Sequence, residues 1–463
     1  MNKTSSTRTE NDSLGEVKIK ENAYYGAVTA RALKNFQISG VTAERNFIKA
    51  LGLIKQAAAE VNGSLKLLTK EQTKAILQAC KEFIAGKFYN EFLIDVFQAG
   101  AGTSYNMNAN EVIANRANEI LLGKKGQYKY VHPNNHVNMA QSTNDVIPTA
   151  ARLAILFALP NLLSEIKLLE NEISKIAKKY KNLVKVGRTH LQDAVPITLG
   201  QEFDSYKEAI KKSRKIIEQQ SHDLKILGIG GTAIGTGINT HQKYKMMMIK
   251  TLSKLTKINF RPTANMTETT NNMNSFLNFS ATLRSLSVNL LNFCGDLKLM
   301  NMGPKAGIGE ITLPPVQPGS SIMPGKVNPS IPECMEMICM QVIGNDRTIE
   351  IAAQKSQLEI NVYCPIIMYN LLQSIQILTN GLKTLRELCI KGIKINDEKI
   401  KSLFSSSLCT ATALAPSLGY QLVAEIVKSA LEKNTTIKDE VLKRKLLDKR
   451  ELDKVLSETA APY

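Results

Sequence analysis

The chain has 463 residues, of which 43% are apolar and 22% are charged, and its formal net charge is +18. A chain of this length buries a large core and usually forms more than one domain, and the composition is typical of a soluble globular protein. We find no run of about 18 uncharged apolar residues, so no membrane-spanning segment is predicted.

The N-terminus carries no targeting signal that we recognise. Residues 1–16 lack an apolar core and include three acids, so we interpret them as a short disordered arm rather than a secretory signal. The seven cysteines are scattered and form no C-x-x-C pair. This pattern predicts buried free thiols in a reducing compartment, which favours the cytoplasm.

The positive charge is spread along the chain, with clusters on helix faces such as Lys178 and Lys179 and near Lys443. A basic surface attracts nucleic acid, but no zinc-finger spacing or aromatic-studded strand motif accompanies the charge. Solvated lysine-rich helix faces explain it better, so no nucleic-acid partner is predicted. A positive field would also gather small dianions at low salt.

Residues 1–140 are predicted to form a mixed, mainly helical region, with helical spacing over 45–62 and 70–86. The glycine-rich turn QAGAGTSYNMN follows. Its glycines allow positive φ and bring the backbone close to whatever Thr103 and Ser104 contact, although an ordinary turn is the alternative.

Residues 131–149 form a second polar cluster, which contains the segment QSTND with Ser142, Thr143, Asn144 and Asp145. These side chains predict an N-cap for the next helix, because they satisfy the unpaired N–H groups of its first turn. A helix N-terminus also favours anions, so capping and substrate binding are compatible.

Two other motifs raise the question of a metal or a cofactor. His132 and His136 have no carboxylate or cysteine partner at ligand spacing, so no zinc site is predicted. The segment GIGGTAIGTG at 228–237 matches neither a Walker loop nor the dinucleotide-binding fingerprint. No nucleotide cofactor is therefore predicted.

From about residue 151 the pattern is that of long helices with apolar seams, followed by further helical spacing at 333–354 and 358–390 and a smaller helical region after 395. Such helices predict a bundle, and their extra apolar faces predict self-association. The three seams are Ile155, Leu159, Leu162, Ile166, Leu169, Ile173, Ile176 and Tyr180; Phe203, Tyr206, Ile210, Ile217 and Leu224; and Phe276, Phe279, Leu283, Leu286, Leu290, Phe293 and Leu297.

The segment GRTHLQDAVP lies between the first two seams, and we interpret it as a polar cluster at a helix break. His190 stands beside Thr189, Gln192 and Asp193. A lone histidine is commonly structural, whereas one in such a polar setting is also a candidate for catalysis, and the residues alone leave both open.

The segment 303–332, GPKAGIGEITLPPVQPGSSIMPGKVNPSIP, has no periodicity. Such a long irregular stretch is usually functional or disordered, and its apolar content disfavours disorder. Its centre brings together two hydroxyls, an ammonium and an amide, at Ser320, Ser321, Lys326 and Asn328. A well-ordered structural loop is the alternative.

Four clusters, GAGTSYNMN, QSTND, GRTHLQDAVP and GSSIMPGKVNP, resemble in order and spacing those of the aspartase/fumarase superfamily. The resemblance extends from Tyr24 to about Leu456. It implies a mainly α fold of three domains: an N-terminal domain (1–140), a central long-helix bundle (141–395) and a small C-terminal helical domain (396–463). It also implies a homotetramer with a twenty-helix core, in which three subunits contribute to each active site.

The implied reaction is an anti elimination that converts a small dicarboxylate to fumarate without a cofactor or metal. Removing a proton beside a carboxylate produces an enediolate, so donors must be fixed where its charge grows. By resemblance Ser320 is the base and Lys326 supports its alkoxide, while His190, oriented by Glu333, acts on the leaving group. The residues implied to bind substrate are Thr103, Ser104, Ser142, Thr143, Asn144, Thr189, Ser321 and Asn328, and Lys326 with Asn328 grips the second carboxylate.

The leaving group is ammonia in the aspartase branch and water in the fumarase branch. Ala101, Ser104 and Thr143 are the forms seen in aspartases, whereas His190 and the segment GIGE resemble fumarases. Lys305 replaces an expected arginine, which puts a bidentate contact there in doubt. We predict deamination of L-aspartate, with hydration of fumarate by a class II fumarase as the alternative.

Overall fold

The computed structural model describes residues 6–458, so the first five residues of the interpreted arm and the last five of the C-terminal domain lie outside it. The described chain is mainly helical, as predicted. Its α-helices are α1 (Ala27–Asn35), α2 (Arg45–Ser64), α3 (Lys70–Ile84), α4 (Thr103–Ile120), α5 (Thr143–Lys179), α6 (Leu199–Gln220), α7 (Tyr244–Thr256), α8 (Met266–Asn271), α9 (Asn274–Met300), α10 (Ser330–Ala353), α11 (Cys364–Leu388), α12 (Asp397–Ser406), α13 (Ala411–Leu418), α14 (Tyr420–Lys433), α15 (Ile437–Lys443) and α16 (Lys449–Glu458).

The strands are short and pair two by two. Two antiparallel hairpins join neighbours in sequence, and two-residue ladders join distant segments. The strands are β1 (Thr7–Asp12), β2 (Gly15–Lys20), β3 (Val184–Thr189), β4 (Gln192–Thr198), β5 (Ile226–Leu227), β6 (Arg261–Pro262), β7 (Ile311–Thr312) and β8 (Lys394–Ile395).

The predicted seams lie on α5, α6 and α9. All seven apolar residues of the α9 seam, from Phe276 to Leu297, are buried, as are the first six of the α5 seam. Apolar residues spaced by three and four lie on one face of a helix, so burying that face stabilises each helix through packing.

Helix α5 is long and apolar enough to cross a membrane by length and composition alone. Most of its apolar stretch is buried inside the protein, as in the core helix of a folded domain. Arg152 lies within this stretch and is itself buried, where it donates to the hydroxyl of Ser275 at 2.9 Å.

The chain divides into two compact units. The first contains Met1–Leu162, Ile216–Arg284 and Gln341–Ile377. Within it α2 packs against α3 and α7, and α3 packs against α4. Phe47 and Tyr105 meet edge to face between α2 and α4, with ring centroids 5.3 Å apart, a geometry that favours aromatic pairs.

The second unit contains Leu163–Lys215, Ser285–Met340 and Leu378–Tyr463. Within it a small apolar core joins α13 to α16, and it includes Leu414, Ile426, Val441 and Leu452. This core gives the C-terminal helices packing of their own, as expected for a small C-terminal domain. The three-domain boundaries placed after residues 140 and 395 remain a prediction.

The interpretation of residues 1–16 as a disordered arm is wrong for the part that the structure describes. Residues 7–20 form the β1–β2 hairpin, and Glu10 is buried. The Arg8 guanidinium donates to Glu10 and to the carbonyls of Lys20, Glu21, Ala23 and Tyr25 at 2.6–3.0 Å. One guanidinium thus uses its planar donors to fasten a polar segment that has little apolar content.

The cysteine prediction is confirmed in its main point. All seven cysteines are free, and six of them are buried. The exception is Cys334, which is exposed near the start of α10. Burial raises the pKa of Cys364 to about 12, so its thiol stays protonated and unreactive at neutral pH.

Candidate functional site

Two helices begin with hydroxyl residues that the structure brings together. Thr103 is the first residue of α4 and Thr143 is the first residue of α5, and their Oγ1 atoms lie 3.2 Å apart. Ser104 follows Thr103 and is buried. Each helix N-terminus is the positive end of a helix dipole. Their convergence makes this hydroxyl cluster (Thr103, Ser104, Ser142, Thr143) suited to an anion.

A glycine allows the approach of these two helices. Gly102, which precedes α4, has φ +91°, and a Cβ there would lie 2.9 Å from the Ile147 side chain on α5. A side chain at this position would therefore strain the backbone and force the helices apart.

Ser142 is the N-cap of α5, as predicted. Its Oγ accepts the N–H of Asn144 at 3.2 Å, and Asp145 Oδ1 accepts the N–H of Ser142 at 3.0 Å. This reciprocal arrangement resembles a capping box and fixes the first turn of the helix. The Asn144 amide points elsewhere, since its Nδ2 donates to the carbonyl of Ala233 at 2.7 Å.

Asp145 attaches α5 to the glycine-rich segment 228–237, for which the sequence suggests no role. Its Oδ2 accepts the N–H groups of Gly230 and Thr232 at 2.9 and 3.0 Å. Burial raises the pKa of Asp145 to about 6, and the three N–H donors oppose that shift by favouring the carboxylate. The segment therefore acts as a backbone support for Thr143 and Asn144.

Lys55, on α2, lies beneath the hydroxyl cluster and is completely buried. Its Nζ donates to Asn106 Oδ1 at 2.7 Å, Asn138 Oδ1 at 3.0 Å and Gln141 Oε1 at 2.9 Å. Burial lowers the pKa of Lys55 to about 7, and the carboxylate of Asp145 opposes that shift. Burying an ammonium costs several kcal/mol, which a purely structural position rarely justifies.

The segment carrying His190 lies at a break between α5 and α6, as interpreted, and within that break it forms a β-hairpin, which was not predicted. β3 pairs with β4, and the turn consists of His190 and Leu191, with φ of +55° and +62°. Two consecutive positive φ values match the type I′ turn that suits the twist of a hairpin. Thr189 and His190 are thereby exposed at the hairpin tip.

A buried charge cluster anchors this hairpin. Arg188 donates to Glu310 Oε1 at 2.8 Å, and the Lys185 ammonium lies 3.1 Å from Glu310 Oε2 and 3.0 Å from Glu202. Glu310 and Lys185 are buried. Breaking such a pair by removing one partner costs about 3–5 kcal/mol, because the other charge stays buried. The hairpin is therefore held to the segment that leads into the serine-containing loop.

Residues 319–328, which we call the serine loop, are closed by hydrogen bonds at their base. The Gly319 N–H donates to the carbonyl of Lys326 at 2.8 Å, and Asn328 Nδ2 donates to the carbonyl of Gly319 at 2.8 Å. A Cβ at Gly319 would lie 2.5 Å from the Lys326 carbonyl oxygen, so only glycine fits here. Asn328 is thus occupied in shaping the loop.

Within the loop, Ser320 Oγ accepts the N–H groups of Ile322 and Met323 at 3.2 and 3.0 Å. Ser321 and Lys326 are exposed. Two backbone donors directed at one hydroxyl oxygen favour negative charge on it. The serine loop therefore presents a hydroxyl that accepts two backbone N–H groups, together with an ammonium, on an exposed segment.

Glu333 is exposed in the first turn of α10. Among residues 6–458, no hydrogen bond joins it to His190, so the orienting contact implied by resemblance is not formed within this chain.

The described residues also contain no cluster of His, Cys, Asp or Glu suited to a metal ion. His136 accepts the N–H of His132 through Nδ1 at 2.7 Å.

Sequence reasoning missed Lys55, Asn138 and Gln141. A signal was present, because Lys55 interrupts an apolar stretch of α2 at a position on the same face as Leu51 and Ala58. A charged residue on the core face of a helix points to a buried polar network.

Two family models match the chain. One, described as Lyase, matches residues 15–344, and the other, described as Fumarase C C-terminus, matches residues 411–459. An aspartate ammonia-lyase of Bacillus sp. is 42% identical over 450 residues, which cover 97% of this chain and 96% of that protein. A class II fumarate hydratase of Wigglesworthia glossinidia brevipalpis is 41% identical over 447 residues, 96% of each protein.

The fold is shared as well. A crystal structure of a fumarate lyase:delta crystallin from Brucella melitensis, bound to cobalt, is 43% identical, with a TM-score of 0.96 over 99% of this chain and 100% of that one. Since one family model matches well over half of the chain and the relatives cover nearly all of it, the protein is an enzyme of the lyase class and belongs to the aspartase/fumarase superfamily.

Proposed function

We propose that this enzyme is a carbon–nitrogen lyase that deaminates L-aspartate to fumarate and ammonia. The 42% identity to an aspartate ammonia-lyase across 97% of the chain supports an enzyme of this family. The observation that carries the choice of ammonia is the set Ala101, Ser104 and Thr143, which are the forms seen in aspartases. The hydroxyl cluster at two helix N-termini supports it, because a small dianion needs such donors. Free thiols throughout the chain support the cytoplasm as its compartment.

The reaction begins with removal of a proton from the carbon beside one carboxylate. Ser320 is the proposed base, and the N–H groups of Ile322 and Met323 stabilise its alkoxide together with Lys326. The electrons of the broken C–H bond move into the carboxylate and form an enediolate with two negative charges. Thr103, Ser104, Ser142 and Thr143 donate to that group, and the enediolate binds them more tightly than the substrate does.

The enediolate then collapses, the C–N bond breaks and the C=C bond of fumarate forms. Asn144 is suited to hold the amine, because its NH₂ group is bound by the Ala233 carbonyl and its amide oxygen therefore faces the opposite direction. His190 and Thr189 would contact the leaving group from the hairpin tip, with Glu333 of another copy in the proposed assembly orienting His190. Lys326, Asn328 and Ser321 would bind the second carboxylate.

Hydration of fumarate is a second candidate. The class II fumarate hydratase of Wigglesworthia is 41% identical, so overall identity does not separate the two activities. His190 favours this candidate, since an imidazole can exchange a proton with water as a leaving group.

A substrate assay decides between the two. We expect the purified enzyme to produce fumarate absorbance from L-aspartate, with kcat/KM at least about a hundredfold above that for L-malate, because a site that binds an ammonium leaves its acceptors unpaired when a hydroxyl replaces it. Argininosuccinate serves as the control for a bulkier leaving group. Turnover of malate alone would assign the enzyme as a fumarase instead.

We also propose that the chain forms a homotetramer, so that the hydroxyl cluster of one copy meets the serine loop and hairpin of others. Exposed apolar side chains on the long helices support this, notably Met337 and Met340 on α10, which are 64% and 59% exposed. On α9, Gly295 has open space above its Cα between exposed Val288 and Leu299. Exposed apolar side chains on either side of a glycine allow another helix to pack against α9 at close distance.

The mass in solution tests this assembly. We expect light scattering to report a tetramer of the 51.1 kDa chain. We expect Met340→Glu to shift it toward smaller species with loss of activity, because a carboxylate would be buried at the interface. The matched control is Leu431→Glu, an equally exposed apolar residue of α14. A monomer with full activity would contradict the proposal.

A further inference from the structure

The three acceptors around Lys55 determine how its neighbours can hydrogen-bond. An ammonium donates and never accepts, so Asn106, Asn138 and Gln141 must each turn an amide oxygen toward it. Their NH₂ groups consequently point away from Lys55. Backbone carbonyls also hold the NH₂ groups of Asn138 and Gln141. Within the described part of the chain, Asn106 has no such backbone acceptor: its NH₂ group donates to Asn138 Oδ1 at 3.2 Å, and its orientation depends on Lys55 and on that contact.

One of the three amides, that of Asn106, contacts the hydroxyl cluster directly. Asn106 Nδ2 donates to Thr143 Oγ1 at 3.3 Å, so the Thr143 oxygen accepts and its own proton is left for another acceptor. The Thr103 hydroxyl lies 2.7 Å from the carbonyl of Gly100 and donates to it until an enediolate, a stronger acceptor, takes that proton. At the longer distance of 3.2 Å, Thr143 Oγ1 also accepts from Thr103 Oγ1, which again leaves the Thr143 proton free. A carboxylate placed at the cluster is a strong acceptor and takes that proton.

We propose that Lys55 is a positioning residue for the lyase reaction, which acts by holding Asn106 so that Thr143 can only donate to the substrate carboxylate. The inference rests on the proposed function, in which Thr143 binds the carboxylate that becomes the enediolate. Without Lys55 the Asn106 amide can rotate by half a turn and present its oxygen to Thr143. Thr143 then donates to Asn106, and the carboxylate loses a donor.

The charge of Lys55 acts in the same direction as the hydrogen bonds. Burial lowers the pKa of Lys55, but the three amide oxygens around Nζ favour its protonated form. In that form the ammonium attracts the substrate dianion, and in a low-dielectric interior this attraction is strong. The Asp145 carboxylate, which raises the pKa of Lys55, partly offsets this attraction. The lysine therefore favours both the dianion and the more highly charged enediolate.

A double-mutant cycle on the assembled enzyme tests whether Lys55 acts through Thr143. The variants are Lys55→Met, Thr143→Val and the double variant, and the readouts are the inhibition constant of fumarate and kcat/KM for aspartate. We expect each single substitution to weaken fumarate binding about tenfold or more, and the double variant to be within about threefold of Thr143→Val. A residue with a merely structural role would give effects that multiply.

Control variants distinguish a specific effect of Lys55 from a general loss of stability and from failure of the proposed function. Lys49→Met removes an exposed lysine of the same helix and is expected to leave binding unchanged. If Lys55→Met lowers the melting temperature strongly, Asn106→Leu replaces it in the cycle, because it breaks the same link to Thr143. Multiplying effects in an enzyme that binds fumarate would overturn this inference alone. No fumarate binding by the unmodified protein would overturn the proposed function and this inference together.

Discussion

Ser320→Ala is expected to lower kcat for aspartate by at least about 10³-fold with little change in KM. The substitution removes the proposed base. Proton transfer by a positioned group contributes a factor of about 10² to 10⁴ to the rate, and the loss of that factor accounts for the expected fall in kcat. The substitution also removes two hydrogen bonds inside the loop. The loop is nevertheless expected to keep its conformation, because the hydrogen bonds that close its base join Gly319 to Lys326 and Asn328 and do not involve Ser320. Steady-state fumarate formation by the purified variant measures the effect.

Two comparisons make this result specific. Ser321→Ala, in the same loop, is expected to raise KM more than it lowers kcat, because Ser321 is proposed to contact a carboxylate. Ser405→Ala, on exposed α12, is expected to match the unmodified enzyme. Light scattering and thermal melting show whether the Ser320 variant keeps its assembly. A loss of less than about tenfold in an intact assembly would remove serine as the base.

The long helices were predictable from the sequence because an apolar residue at every third or fourth position fits few structures other than an amphipathic helix. In α9, the spacing of the apolar residues from Phe276 to Leu297 is enough to identify the face of the helix that is buried. The N-cap at Ser142 was predictable for a similar reason, since a hydroxyl followed three residues later by a carboxylate matches the needs of a first turn.

Both hairpins were missed because their signals are weak. The turn between β3 and β4 consists of His190 and Leu191, and neither is the glycine or asparagine that usually marks positive φ. Pro196 in β4 also argues against a strand by ordinary rules. In β1, the decisive interaction is the Arg8 guanidinium with four distant carbonyls, which no local pattern reveals.

The candidate site was predictable residue by residue only through resemblance. The residue pattern predicted hydroxyls at the start of one helix, near Ser142, and only a glycine-rich turn at Thr103, and it did not show that Thr103 and Thr143 touch. It also gave no role to segment 228–237, whose backbone holds Asp145. Contacts between residues far apart in sequence follow from tertiary packing, so local patterns locate functional groups without showing what supports them.

Lys326→Met is expected to weaken aspartate and fumarate binding by about 10² to 10³, the cost of leaving one partner of a charged pair unpaired. Methionine keeps the length of the side chain and removes only the ammonium. The loop should persist, because its base is closed by the Lys326 carbonyl and by Asn328 rather than by the Lys326 side chain. The inhibition constant of fumarate and kcat/KM for aspartate measure the loss.

The size of the loss distinguishes a direct contact from a general effect of charge. Lys401→Met removes an exposed positive charge elsewhere on the chain and should change binding by less than about twofold at physiological salt, where separated surface charges are screened. If Lys326 pairs with a carboxylate, its effect should persist as salt is raised, because a contact pair shielded by the loop is screened little. A loss of similar size in both variants, disappearing at high salt, would mean that Lys326 attracts the dianion only through the overall field and does not touch it.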